Sequence, residues 1–324
     1  MAESFIYANG RISGEETTLL DQRMWQMLIS SSGNSEALRL LGDTWYGGFM
    51  QYHCMEDCFI KAMEATEEEL IELSEDERLV RGILYRRDVR NARYVWKNLL
   101  SGDNSEDEID IELPGLIEIE ILRKAVTSVE IREELPSLFA RALEELLDND
   151  RVTTLQVDRQ LDLLAAAVER DELVEINSGF RTFFMTNIEQ KNFLTASRCS
   201  IDGVSRQEVH EMLLPGGYHT EDEIVEAYQR RTLPGLLAEA PGFDSIVAAF
   251  EEALETGLFL GFEKECDRRL LELLEKGAFP VFGPSPLAAF VLRREMEIDH
   301  LRLLLAAKSA GVKEDRLKKR LPRG

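Results

Sequence analysis

Apolar positions recur three and four residues apart along most of this chain, with charged residues filling the intervals. Residues 135–147 (LPSLFARALEELL), 158–168 (DRQLDLLAAAV), 246–258 (IVAAFEEALETGL) and 267–274 (DRRLLELL) each read as one apolar stripe on a helix. Leu, Ala, Glu and Arg, all good helix formers, fill these windows. Period-two runs of β-branched residues are scarce. Residues 109–120 (IDIELPGLIEIE) alternate briefly, but Pro114-Gly115 interrupts them, so the first half is expected to be helical with Pro-Gly as its stop. The pattern predicts an all-α fold.

Internal repetition organises those helices. Residues 88–113, 188–213 and 296–321 align without a gap, each as a helical stretch, a Gly-containing break and a second helix. The breaks are Ser101-Gly102, Asp202-Gly203 and Ala310-Gly311. Ile109, Val209 and Leu317 share one column, and Leu113, Leu213 and Leu321 another four residues on, so each second helix buries one stripe. Ser105 to Glu108 and Ser205 to Glu208 are S-x-x-E capping boxes in one column, where the third copy has Lys313. A Leu-Pro-Gly closes the first two copies, at Leu113-Pro114-Gly115 and Leu214-Pro215-Gly216.

A second echo lies upstream, at residues 55–59, 157–161 and 266–270, spaced at nearly the same period of about 100 residues. The expectation is three homologous helical modules, 1–116, 117–219 and 220–324. That period exceeds the roughly 34–47 residues of common helical solenoids, so a ring-like body with pseudo-threefold symmetry is favoured over an open array.

Composition narrows the partners. The 324 residues carry 38 Lys+Arg against 61 Asp+Glu, a net charge of −23, and are 44% hydrophobic, enough for a sizeable core. Such an excess of acid argues against nucleic acid, which is bound by clustered Lys and Arg, and against adhesion to an anionic lipid surface. No run approaches the roughly 18–20 apolar residues of a membrane span, so no direct membrane insertion is expected. The opening MAESFIYANGRIS lacks a basic n-region and an apolar h-region, so no secretory leader is expected. Four cysteines are too few for a disulfide framework and suit a reducing compartment.

Catalytic constellations are not found. His53, Cys54 and Cys58 lie close together, but zinc sites take four ligands and no matching second pair exists, so packing is the expected role. Phosphate-binding glycine loops and nucleophile elbows are absent, and Gly47-Gly48 and Gly216-Gly217 read as turn or helix-stop glycines. The acidic stretches 64–77 and 103–112 read as solvated helix faces. No catalytic, cofactor-binding or metal-ligating residue is assigned, and no cofactor is expected. One segment reverses the overall sign: Lys313, Arg316, Lys318, Lys319, Arg320 and Arg323 face only Glu314 and Asp315. Favourable placement of cations at a helix C-terminus accounts for part of this, and a contact with an acidic neighbour is the other account.

Residues 286–298 (PLAAFVLRREMEI), running into Asp299-His300-Leu301-Arg302 and the Gly311 break, resemble the C-terminal signature of the C/d subunit of V-type and archaeal A-type rotary ATPases. Tyr7 to Ile12, followed by Leu19-Leu20, looks like the family's opening, and Leu213 to Gly217 like its interior helix stop. Threefold internal repetition is itself a family trait, and Asp299 stands where many relatives carry Asn. The resemblance implies an all-α funnel of three similar domains. It implies a non-catalytic rotor part, peripheral on the cytoplasmic face, seated on the membrane proteolipid ring and holding the foot of the central stalk (D- and F-type subunits). Torque would pass between ATP-driven and proton- or sodium-driven rotation, with no nucleotide or metal bound by this chain. The rival reading is an acidic cytosolic all-α scaffold or adaptor unrelated to ion transport.

Overall fold

A computed structural model describes residues 4–51, 54–100, 115–149, 152–174, 178–275 and 285–321, and among these every regular element is helical. The chain opens with α1 (Ser4–Glu15), α2 (Gln22–Ser30) and α3 (Asn34–Gly42), then a 3-10 turn at Trp45–Phe49 and α4 (Met55–Leu73). The long α5 (Glu77–Leu100) leads to α6 (Ile119–Lys124), α7 (Val129–Glu134), α8 (Ser137–Leu147) and α9 (Thr154–Val168), which runs on as a π-helical turn at Glu169–Val174. Next come α10 (Ser178–Asp202), α11 (Arg206–Met212), α12 (Glu221–Arg230), α13 (Leu233–Glu239), α14 (Val247–Thr256) and α15 (Leu260–Glu275). The described chain closes with α16 (Ser285–Ser309) and α17 (Glu314–Arg320).

The repeat seen in sequence maps onto equivalent elements. Its gap-free segments begin inside α5, α10 and α16, of 24, 25 and 25 residues. The upstream echo falls in α4, α9 and α15. Breaks two and three are one motif: Gly203 and Gly311 both have φ of 69°, and the 6→1 bonds Val204 N to Cys199 O (3.1 Å) and Val312 N to Ala307 O (2.9 Å) close both long helices alike. Only glycine adopts that left-handed conformation without a Cβ penalty. The Ser205/Glu208 capping box forms, and Val209, Leu213, Leu317 and Leu321 are buried as the shared columns require. The first copy's break at Ser101-Gly102, its box at Ser105, and Ile109 and Leu113 lie outside the described residues, as does His53.

The chain divides into two compact units, Glu75–Phe184 and Met1–Ser74 with Met185–Gly324. In the former, the α8 stripe Phe139, Ala142, Leu143 and Leu146 meets Val157, Leu161 and Leu164 of α9 and Val89, Ala92 and Trp96 of α5. The buried indole of Trp96 donates to Leu122 O at 3.1 Å, which satisfies its polar edge. Along the rim α5 and α9 are laced by charge. Arg93 pairs with Asp158 (2.8 Å) and Asp162 (2.5 Å), Lys97 with Asp158 (2.6 Å), Arg86 with Glu169 (3.3 Å) and Arg81 with Glu172 (3.3 Å).

In the other unit, Phe193, Phe250 and Phe262 centre an aromatic core shared by α10 and α12–α15. Here too the last long helix meets the beginning of the chain: α16 packs on α1, α3 and α4, and α17 on α2 and α15. The acidic stretch from residue 64 is not wholly a solvated face. Glu67 is buried, because it falls on the α4 stripe formed by Met63, Thr66 and Leu70.

Glycine substitutions separate cap from helix interior. Gly311→Ala is expected to destabilise by about 1 kcal/mol through its positive φ, whereas Gly10→Ala, inside α1 with open space at its Cβ, is expected to stabilise by about 0.5–1 kcal/mol. Thermal or urea unfolding of the two variants checks the opposite signs.

Candidate functional site

Each long helix carries a buried carboxylate that grips the backbone just ahead of another helix. On α5, Asp88 is fully buried, and its two oxygens accept from Leu116 N and Ile117 N, both at 3.1 Å. On α10, Glu189 is fully buried, and Oε2 accepts from Tyr218 N (2.8 Å) and His219 N (3.3 Å). On α16, Glu297 Oε2 accepts from Leu20 N at 2.7 Å. The gripped residues Leu20, Ile117 and His219 each stand immediately before an N-cap, namely Asp21 of α2, Glu118 of α6 and Thr220 of α12. Three clamps thus do one job. The first two hold the backbone that follows in sequence, and the third reaches from residue 297 back to residue 20.

The glycine of the first Leu-Pro-Gly segment and the one just after the second follow from the same geometry. A Cβ on Gly115 would stand 1.9 Å from Asp88 Oδ1, and one on Gly217 2.4 Å from Glu189 Oε2. Both positions need glycine so that the carboxylate can lie against the chain. Gly217 reads from sequence as a turn or helix-stop glycine, and the clamp is the further reason for it.

The clamps balance their charge differently. Glu297 Oε1 accepts from Tyr46 Oη (2.8 Å) and Arg294 Nη1 (2.8 Å). The fully buried Arg294 guanidinium also lies 4.0 Å from the Trp45 ring centre and donates to Thr18 Oγ1. Glu189 Oε1 meets His219 Nδ1 at 2.5 Å. Among the described residues Asp88 has no comparable partner in its clamp. Burial drives its pKa from 3.8 up to about 6, against the opposing pull of the Ile117 and Leu116 amides and of Arg87.

A further polar knot fixes α17. Asp267 on α15 accepts from Arg320 Nη1 (2.5 Å) and faces His300 Nε2 (3.3 Å), while Arg320 also pairs with Glu263 (3.2 Å). Burial works to raise the Asp267 pKa, but His300 and Arg320 outweigh it and hold the group below the usual carboxylate range. Part of the basic C-terminal run is therefore absorbed inside the fold.

The other sequence candidates separate. Cys54 is exposed and its sulfur caps α4, accepting from Asp57 N at 3.4 Å, whereas Cys58 is buried with its thiol on Phe49 O at 3.0 Å. No group of three or more metal-ligating side chains forms among the described residues. A cavity of about 10 Å³ beside Glu297 and His300, lined also by Leu19, Trp25, Leu271 and Arg293, has room for one water molecule. The clamps offer backbone-holding chemistry, and sequence reasoning missed them. The available signal was an acid in the first two columns of each repeat, Asp88, Glu189 and Glu297, with an Arg-x-x-Glu pair at α16.

Two measurements test the clamps. Because folded Asp88 binds its proton more tightly than the unfolded chain, its contribution to stability is greatest below about pH 4 and is lost as pH rises to about 6. Relative to Asp88→Asn, the wild type should lose on the order of 2–3 kcal/mol across that window, and parallel pH profiles would contradict the assignment. Gly115→Ala and Gly217→Ala should each destabilise by about 2 kcal/mol or more, read by urea unfolding.

The model of the ATP synthase (C/AC39) subunit family matches residues 8–320. Among curated proteins, the A-type ATP synthase C subunit of Methanocaldococcus jannaschii is 24% identical, with 97% of this chain and 85% of the relative covered. Its counterpart from Methanothermobacter thermautotrophicus is 22% identical over 94% and 84%, and that of Desulfurococcus sp. 24% identical over 97% and 89%. With a family match that spans nearly its whole length, the chain belongs to the ATP synthase (C/AC39) subunit family.

Proposed function

We propose that this chain is a non-catalytic rotor subunit of a V-type or A-type ATPase/ATP synthase, joining the central stalk to the proteolipid ring that carries protons or sodium ions. On this reading it sits peripherally on the cytoplasmic face of the membrane, with D- and F-type stalk subunits at one end and ring subunits at the other. The observation that carries the reading is the cyclic order of the clamps. A chain whose last long helix grips the start of its first module is suited to surround an axis, with modules 1–116, 117–219 and 220–324 in pseudo-threefold order as a funnel or ring. Family membership supports the assignment.

The physical demands of the role match the construction. A coupler transmits force through stiffness and contact, without chemistry. Long helices, Schellman caps and the charge ladder between α5 and α9 supply stiffness. No described helix is long and apolar enough to cross a membrane, and on this reading attachment rests on protein contacts.

Membrane vesicles carrying the rotary complex with and without this subunit test the proposal. With it, ATP hydrolysis should be accompanied by ion uptake. Without it, hydrolysis should continue while uptake falls to background, and adding the purified chain should restore uptake. Unchanged uptake in its absence, or a chain never found with rotor subunits, would favour the scaffold reading.

A further inference from the structure

We infer that the outward side of α17 is a docking surface for an acidic protein neighbour. Lys313, Arg316 and Lys319 follow one another at intervals of three along one side of the helix, and all are exposed. Among the described residues none of the three has an ion-pair partner, whereas Lys318 pairs with Glu314 (2.6 Å) and Arg320 is held by Glu263 and Asp267. Arg323 lies outside the described residues.

The helix dipole explains only part of this pattern. Lys318, Lys319 and Arg320 stand in the last turn, where cations are favoured. Lys313 occupies the N-cap and Arg316 the first turn, at the end where a cation is disfavoured. The equivalent helix α11 shows what local stability selects at those columns. Ser205 and Glu208 form a complete capping box there, and Glu211 stands where α17 has Lys319. Lys313 makes no side-chain cap at all. The third copy therefore keeps the buried anchors Leu317 and Leu321, gives up its cap, gains Glu314 and Asp315 in its first turn, and turns the side of residues 313, 316 and 319 basic. Glu314 and Asp315 answer the dipole in the first turn, but nothing among the described residues pairs with Lys313, Arg316 or Lys319, and a cationic side left unpaired points outside the chain.

The partner is a protein. Three fixed cations at helical spacing match carboxylates held at fixed positions. An anionic bilayer would meet this face together with the repulsion of a chain of net charge −23. A second copy carries the same excess of acid and repels the first as a whole. The choice of a rotary-complex component as the neighbour rests on the function proposed above.

The test compares the full chain with Lys313→Glu/Arg316→Glu/Lys319→Glu and with Lys313→Ser. Each is reassembled with detergent-solubilised rotary complex stripped of this subunit. At about 0.1 M salt the triple variant should be retained roughly tenfold more weakly than wild type, the difference shrinking as salt screens the contact. Lys313→Ser should raise the thermal midpoint by restoring a cap and yet weaken retention, a combination that a purely structural role does not give. Equal retention of wild type and triple variant overturns the inference and leaves the proposed function standing. A wild type that is not retained overturns the function itself. Sedimentation of wild type, but not the triple variant, with phosphatidylserine vesicles would assign the face to lipid. A dimer abolished by the triple variant would assign it to a second copy. Either result overturns the inference.

Discussion

A buried carboxylate that accepts backbone N–H groups is expensive to desolvate and worthwhile only where it fixes something. Asp88, Glu189 and Glu297 fix the same thing, the backbone directly before a helix begins. Charge-assisted bonds of this kind are stronger than neutral ones and fall off steeply with misalignment, so they define the angle at which the following helix starts. The apolar cores around Phe139 and Phe250 supply cohesion, but apolar contact is non-directional. The clamps supply direction. Glycine at positions 115 and 217, His219 beside Glu189, and Arg294 stacked on Trp45 are local consequences of seating those carboxylates.

The distribution of charge obeys the same logic. Acid is abundant, and several basic residues bind acids across helices: Arg93 and Lys97 on α5 against Asp158, Arg302 on α16 against Glu56, and Arg320 on α17 against Glu263 and Asp267. Individual exposed pairs contribute little, but a row of them along two antiparallel helices resists sliding. At these seams cations tie one helix to another, whereas on α17 Lys313, Arg316 and Lys319 stand exposed with no ion-pair partner among the described residues.

The helices were legible because their signal is periodic and redundant. The stripe Phe139, Ala142, Leu143 and Leu146 places α8, and the unbroken alignment of residues 188–213 with 296–321 places the matching caps at Gly203 and Gly311. The family was legible for the same reason, from motifs distributed along the chain. The clamps were not. With 61 acids in the chain, carboxylates at helical spacing carry almost no information, and burial of Asp88 or Glu189 depends on a backbone segment about 30 residues away. Nor could the sequence show that Arg294, within the charged run 293–297, is fully enclosed by Trp45, Tyr46 and Phe290. Such placements are set by tertiary context, which local patterns do not encode.

Cyclic closure is the central claim, and distances measure it most directly. Spin labels at Asn98, Arg198 and Ala306 occupy one column of the repeat, near the C-terminal ends of α5, α10 and α16. Pulsed dipolar spectroscopy on the three pairwise-labelled chains should return three similar distances, the signature of modules arranged about an axis. Two short distances and one much longer would describe modules strung in a line, and would contradict the account.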